Sequence, residues 1–384
     1  VGRAPRRRVD RAPPDRIAPV TTATGFPLAR LTIERTGNAR EADRDAARAA
    51  GSRRRSCASS STASAPAPPA SRGALYSRGR LTHLRGASGA MPAARVGRGR
   101  PAGEGGRVME WFEETLWPDW RQRIRVERVL HRERTAHQDL ILFESPRWGR
   151  VLALDGVVQT TTADEFVYHE MLVHVPLVAH GAAEQVLIIG GGDGGCLREV
   201  LRHANVQRVV QVEIDAAVIA FSRRWLPSLS AGAFDSPRAR VEIADGARFV
   251  AETKERFDVV IVDSTDPEGP AAVLFAEAFY RDCRRVLRPG GILATQCGNP
   301  VMRPDELEAT QVRQRAAGFA HVDYYFAAVP TYVGGSMALG FATDRSEAPH
   351  APRGPAPVGL RYWTPAMHEA AFAHPAWLVE RIGY

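Results

Sequence analysis

A chain of 384 residues has room for two ordinary domains, and its formal charge of +8 is spread unevenly. Residues 1–108 hold 22 Arg, no Lys and 7 acids, a net of +15, which leaves −7 for the remainder. A nucleic-acid reading therefore rests on the N-terminal third alone, and no apolar run reaches the ~18–20 residues needed to cross a membrane.

That N-terminal third reads as disordered. All seven Trp lie after residue 110, and a packed core needs such side chains. Stretches such as Ala65-Pro-Ala-Pro-Pro-Ala70 carry no amphipathic period. The chain begins with Val, Met91 is its first Met, and Met109 directly precedes the first aromatic-rich stretch. Lys254 is the single Lys against 50 Arg, which fits a GC-rich genome. An over-extended gene start is the first expectation for 1–108. A targeting peptide is the alternative.

Residues 109–162 predict a small antiparallel β domain. Ile124–Val129, Asp139–Phe143 and Arg150–Leu154 alternate or run apolar, and Ser145-Pro146 and Asp155-Gly156 mark turns. Asp164 is expected to cap a helix running to about His174, with Pro176 near its end.

From Gln185 the pattern changes to strands alternating with helices. The strands are Gln185–Ile189, Val206–Val212, Arg240–Ala244, Phe257–Val262 and Gly291–Gln296, with helices at Cys196–His203 and Ala276–Leu287. Such alternation implies βαβ units and a mostly parallel sheet covered on both faces. The final strands, near Tyr324–Ala328 and Ser336–Thr343, are expected as a hairpin on the sheet edge. The expected architecture is a Rossmann-like, doubly wound α/β catalytic domain at 163–345, followed by a C-terminal extension at 346–384. Cys57, Cys196, Cys283 and Cys297 show no zinc spacing, which predicts free thiols in a reducing, cytoplasmic compartment.

The chemistry collects at strand ends. After the first strand comes Gly190-Gly191-Gly192-Asp193-Gly194-Gly195, a turn that lets backbone approach a ligand closely. Gly190, Gly192 and Gly195 also fit the spacing of NAD enzymes, so the turn alone does not choose a ligand. Glu213 ends the second strand, where a carboxylate accepts both ribose hydroxyls. That implies a nucleoside, either NAD or S-adenosylmethionine. Asp245-Gly246 ends the third strand and is placed to meet an adenine amino group. Asp263 and Asp266 stand beyond the fourth. Four strands thus send Asp193, Glu213, Asp245 and Asp263 toward one crevice, where helix capping is the competing role for each. A carboxylate cluster suits a cationic substrate, raises the pKa of a member by repulsion, and offers a base for an amine. Pro267, Gly269 and Pro270 follow in a segment expected to close over the site.

These pieces closely resemble the spermidine synthases, the bacterial members above all. The matching runs are Asp155-Gly-Val-Val-Gln-Thr-Thr161, Asp164-Glu-Phe-Val-Tyr-His-Glu-Met171, Gly190–Gly195, Val212-Glu-Ile-Asp215, Asp263-Ser-Thr-Asp-Pro-Glu-Gly-Pro270 and Val329-Pro-Thr-Tyr332. Leu360–Pro365 and Ala370–Phe372 look bacterial as well. Residues 1–108 resemble nothing in the family. The resemblance implies transfer of an aminopropyl group from decarboxylated S-adenosylmethionine to putrescine, giving spermidine and 5′-methylthioadenosine. It implies that Gln138, Glu213, Asp245 and Gly246 hold the nucleoside. Asp193 and His169 would surround the aminopropyl amine, and Asp263 would take the proton from the attacking nitrogen. Tyr168, Asp266 and Tyr332 would hold the diamine, with Pro270 beside the nucleoside. It implies no cofactor and no metal beyond the co-substrate, no nucleic-acid or membrane partner, and a homodimer or homotetramer. One departure stands out: Thr162-Ala163 replace the Glu-Arg common in the family.

Three rival activities remain open at this point. A putrescine N-methyltransferase would use intact S-adenosylmethionine, whose carboxylate Asp193 would repel. A spermine- or thermospermine-forming enzyme would differ in pocket length. An NAD dehydrogenase would account only for the Gly turn and Glu213.

Overall fold

The computed structural model describes residues 110–135, 137–267, 269–346 and 350–383. The extension at 1–108, with Cys57, lies outside the described residues.

The first six strands are short and antiparallel. They are β1 (Glu110–Glu113), β2 (Arg123–Val126), β3 (Arg128–Arg134), β4 (Asp139–Ser145), β5 (Gly149–Leu154) and β6 (Val157–Thr161). β1 pairs with β2, and β3 to β6 form a four-stranded meander. Alternation along β4 decides how this sheet docks. Ile141 and Phe143 face a cluster with Phe112, Ile124 and Val151. Leu140 and Leu142 face the other way and pack on Phe221, Leu226 and Leu229.

Helix α1 (Glu165–His180) follows, then β7 (Gln185–Gly190), α2 (Gly195–Leu201), β8 (Arg208–Glu213), α3 (Ala216–Trp225) and the short α4 (Pro227–Ser230). The chain continues through β9 (Ala239–Ile243), α5 (Gly246–Glu252), β10 (Phe257–Asp263), α6 (Glu277–Val286) and β11 (Leu287–Gln296). It ends with α7 (Pro304–Ala316), β12 (His321–Ala327), β13 (Met337–Thr343), α8 (Pro365–Ala371) and α9 (Ala376–Ile382). The large sheet runs β12-β13-β11-β10-β7-β8-β9. Its strands β11, β10, β7, β8 and β9 are parallel, and β13 and β12 add an antiparallel edge hairpin. This is the expected Rossmann-like, doubly wound sheet. Its strand order reverses between β7 and β10, which opens a crevice at their carboxyl ends.

Both faces of that sheet are dry. Val186 and Ile188 of β7, with Val259 and Ile261 of β10, join one cluster. Leu187, Ile189, Val260 and Val262 join another on the opposite face. This is why these strands read as continuous apolar runs.

Helix α1 corrects two expectations. It runs through Pro176 to His180 and ends on Gly181 in the left-handed region. Pro176 forfeits one helical hydrogen bond, but Val175, Leu177 and Val178 around it are at most 3% exposed. Burying each such side chain contributes roughly 1.5–3 kcal/mol, so continuation wins. Asp164 precedes the helix without capping it by side chain. Its carboxylate instead accepts from the Thr161 hydroxyl at 2.7 Å and from the Thr331 amide and hydroxyl at 3.0 and 2.8 Å. A buried partner 167 residues away outcompetes the local cap.

Glu170, 1% exposed on α1, accepts the backbone N–H groups of Arg361, Tyr362 and Trp363, each at 2.8 Å. One carboxylate thereby binds the C-terminal segment to the core, where Trp363 and Ala371 are buried beside α1 residues. Glu170→Ala strands three amides. It is expected to lower unfolding stability by about 3 kcal/mol, measurable by urea titration. A loss below about 0.5 kcal/mol would mean that water replaces the carboxylate without cost.

Candidate active site

The Gly turn after β7 is held open by Gln211, whose amide donates to the carbonyls of Gly190 at 2.9 Å and Gly191 at 2.6 Å. Gly191 has φ +68, and a side chain there would press on the Asp263 carboxylate and Gln211. A side chain on Gly195 would strike the His169 ring. These two positions need glycine for backbone conformation and for close approach, respectively.

Asp263 ends β10 beside this turn. Its Oδ1 accepts from the Tyr168 hydroxyl at 2.8 Å. Burial, then the nearby Asp193 carboxylate, pushes the Asp263 carboxyl above the ordinary carboxylate range, while the His169 cation opposes them. Tyr168 and Tyr332 meet edge to face at 5.8 Å between ring centres. The Tyr332 hydroxyl donates to the Gln159 carbonyl at 2.8 Å. Burial pushes the phenol pKa of both tyrosines up, so both remain O–H donors.

Asp193 is fixed from two sides. Its Oδ1 accepts the Gly195 N–H at 2.8 Å, and its Oδ2 lies 3.3 Å from His169 Nε2. The other ring nitrogen, Nδ1, meets Glu165 at 2.6 Å. Burial disfavours an imidazolium here, but Asp193 and Glu165 overcome it and hold the His169 pKa well above the usual value. Both nitrogens therefore donate. Arg198 braces Glu165 at 2.9 Å and Glu199 at 2.7 Å, and Glu199 meets His174 at 2.9 Å. A buried, charge-alternating chain thus runs from Asp193 through α1 and α2, and it fixes the Asp193 carboxylate before any ligand arrives.

At the next strand end, Glu213 is 8% exposed and accepts the Asp215 N–H at 2.9 Å. Burial pushes its carboxyl up to about 7. Asp215 caps α3 and accepts from Gln138 at 3.3 Å and from the Thr135 hydroxyl at 2.7 Å. Gln138, on the β domain, is thereby tied to the Glu213 strand end. Asp245 is exposed and caps α5 through the Arg248 N–H at 3.1 Å, with Gly246 the first helical residue. For Asp245 the capping role is therefore real, although it sits at the carboxyl end of β9.

Asp266 lies apart from that end. It accepts from the Gln296 amide at 2.9 Å, and Arg303 stands 3.9 Å from its other oxygen. Arg303 also covers the Trp117 ring at 5.0 Å. Glu114, 2% exposed, accepts the Val158 N–H at 2.8 Å, and its Oε2 is buried with no hydrogen-bond partner among the described residues. Burial and, more weakly, repulsion by Asp266 push its carboxyl up to about 7. Pro270 belongs to the short helical turn Gly269–Phe275, and its side chain lies outside the described residues.

Geometry of this kind, with a Gly turn and acids at successive strand ends, agrees with two family models. A spermine/spermidine synthase domain matches residues 165–350, and a spermidine synthase tetramerisation domain matches 110–162. The polyamine aminopropyltransferase 1 of Pseudomonas aeruginosa is 50% identical over 282 residues, covering 72% of this chain and 98% of that protein. The chain belongs to the spermidine synthase family. The Salmonella arizonae polyamine aminopropyltransferase is also 50% identical, over 70% of this chain and 96% of its own. Among solved structures, a spermidine synthase in complex with the transition-state analogue AdoDATO superposes with TM-score 0.69 at 35% identity, over 74% of this chain and 98% of that one. The Thermotoga maritima spermidine synthase gives 0.68 at 35%, over 74% and 97%. The chain is accordingly a transferase.

Several residues around this candidate site escaped the sequence reading. Glu165 carried a signal, since it lies four residues before His169 on one helix. Gln296 did too, as the last residue of the fifth parallel strand. Glu114 and Trp117 carried none, because they reach the site from another sheet. The departure Thr162-Ala163 forms the turn between β6 and α1, where Thr162 Oγ1 accepts the Arg150 N–H at 3.0 Å. Cys196, Cys283 and Cys297 are buried free thiols, and among the described residues no helix is long and apolar enough to cross a membrane.

Proposed function

We propose that the chain moves the aminopropyl group of decarboxylated S-adenosylmethionine to putrescine, giving spermidine and 5′-methylthioadenosine. The observation that carries this reading is the position of Asp263. It is a partly buried carboxylate of raised pKa, near Asp193, with the group formed by Asp266 just after β10, Gln296 at the end of β11 and Glu114 from the β domain further along. Two anionic ends suit a donor and an acceptor that both carry cationic amines.

In this reading Glu213 takes the ribose hydroxyls, and Gln138, Asp245, Gly246 and Pro270 complete the nucleoside site. Asp193, oriented by His169, takes the aminopropyl ammonium. Tyr168 and Tyr332 flank the diamine chain, whose far ammonium rests on Asp266 and Glu114. The near nitrogen passes a proton to Asp263 and attacks the carbon next to sulfur. The new C–N bond forms as the C–S bond breaks, and its electron pair returns to sulfur. The leaving thioether is neutral, so no acid is required, nor any metal or added cofactor. Alignment of nitrogen, carbon and sulfur supplies on the order of 7–11 kcal/mol at best. Product analysis with putrescine and each donor tests the reading. Spermidine with methylthioadenosine from the decarboxylated donor supports it, and methylputrescine from the intact donor would overturn it.

The free acceptor oxygen of Glu114 gives a second test. A diamine ammonium supplies the missing donor and favours the ionised carboxylate. Glu114→Gln is expected to raise the putrescine KM about tenfold, near 1.4 kcal/mol, with kcat little changed. Wild-type putrescine KM should also fall as pH rises through about 7, the direction in which Glu114 ionises. A lowered kcat with unchanged KM would place Glu114 elsewhere in the cycle. We also read the chain as a homodimer or homotetramer built through residues 110–162, where Trp111 and Trp120 are 45% exposed. A cytoplasmic location suits its free thiols.

A further inference from the structure

The reaction centre holds more than carboxylates. His169 of α1, Cys196 in the first turn of α2 and Asp263 at the end of β10 each bring one metal-binding atom to a common point. The three atoms lie within 4.8 Å of one another. An imidazole nitrogen, a thiol sulfur and a carboxylate oxygen form the donor set of zinc-class ions. Donors around a tetrahedral zinc stand about 3.3–3.8 Å apart, so closure asks the widest pair to approach by about an ångström.

The surroundings favour such an ion. Glu165 occupies His169 Nδ1 at 2.6 Å, so an ion would take Nε2, displacing the proton that Nε2 now directs at Asp193 at 3.3 Å. A carboxylate on the far nitrogen is the arrangement that orients a ligating imidazole and raises its basicity. Arg198 anchors that carboxylate in turn at 2.9 Å. Asp193 Oδ2 lies 3.3 Å from His169 Nε2, outside the three-atom cluster, and adds negative charge beside it. His169 is 2% exposed and Cys196 is fully buried, so their positions are set by packing.

We propose that His169, Cys196 and Asp263 form an inhibitory binding site for a zinc-class divalent cation at the reaction centre. Binding takes a lone pair from Nε2 and from the Cys196 thiolate. The proton on each leaves to solvent, and no oxidant or reductant is involved. Asp263 then coordinates the ion and no longer accepts a proton from an amine. Magnesium and calcium, which prefer all-oxygen sites, are poor occupants.

Cobalt(II) is the probe, added to the purified full chain without substrates. One equivalent per chain should bind and give a thiolate-to-cobalt charge-transfer band in the near ultraviolet, which zinc displaces and magnesium does not. Cys196→Val and Cys196→Ser should each abolish the band and weaken zinc binding at least tenfold by calorimetry. Each variant, normalised to its own uninhibited rate, should need at least tenfold more zinc for half inhibition. If one variant fails to fold, the other decides. A cobalt complex without a charge-transfer band overturns the proposal, as does zinc affinity unchanged in the folded variant. Because the binding test uses no amine, its failure leaves the aminopropyl reading standing.

Discussion

Asp263→Asn is expected to lower turnover by ~10²–10⁴ at neutral pH, the range associated with loss of a positioned general base. The amide keeps the size of the carboxylate, and its oxygen still accepts from the Tyr168 hydroxyl that now sits 2.8 Å away. What it loses is basicity. An alkyl ammonium with a pKa near ~10 is almost fully protonated at neutral pH. The variant must therefore wait for the rare neutral amine. Its rate should climb about tenfold per pH unit between roughly 7 and 9, while the wild-type rate levels off. Donor KM should change little, since Glu213 and Asp193, the donor contacts of the proposed assignment, are untouched. A rate near wild type at pH 7 would remove the base role from Asp263 and direct attention to Asp266.

The same residue shows how far sequence alone reached. β10 was legible because burial on both faces makes it apolar throughout, so its end and Asp263 could be placed. The edge hairpin β12–β13 was legible from two close strand patterns. Helix α1 was misjudged in length because Pro176 is a local signal, whereas the burial of Val175, Leu177 and Val178 that overrides it is tertiary. Asp164 was misread as a side-chain cap for the same reason, since Thr331 lies far along the chain. Among strand-end acids, pattern could not separate Asp245, which caps α5, from Glu213, which is buried and pushed up to about 7. Glu114 was beyond reach because its neighbour Asp266 comes from the other sheet system.

Glu213→Gln separates stability from function in one substitution. In the ligand-free protein the Glu213 carboxyl rests at about 7, against 4.5 for an exposed one, chiefly because burial penalises the charge. The folded state therefore holds the proton more tightly than the unfolded chain. That contribution is fully present below pH 4.5 and is lost as pH rises through about 7. The gap corresponds to about 3 kcal/mol, given ~1.4 kcal/mol per pH unit. The neutral amide of the variant has no charge to bury, so the variant should gain roughly 2–3 kcal/mol over wild type at pH 8 and nothing near pH 4.5. Denaturant titrations at both pH values measure the difference. Nucleoside binding should move the other way. In the proposed assignment two ribose hydroxyls lose a charged acceptor, at about 1.5–3 kcal/mol each, so donor affinity should fall at least ~10²-fold. The wild-type donor KM should itself decrease as pH rises through about 7, where Glu213 ionises. An unchanged donor KM in a stabilised variant would detach Glu213 from the ribose. A donor KM raised without any gain at pH 8 would instead show that the carboxylate is already charged in the empty site, and that burial there is compensated by water.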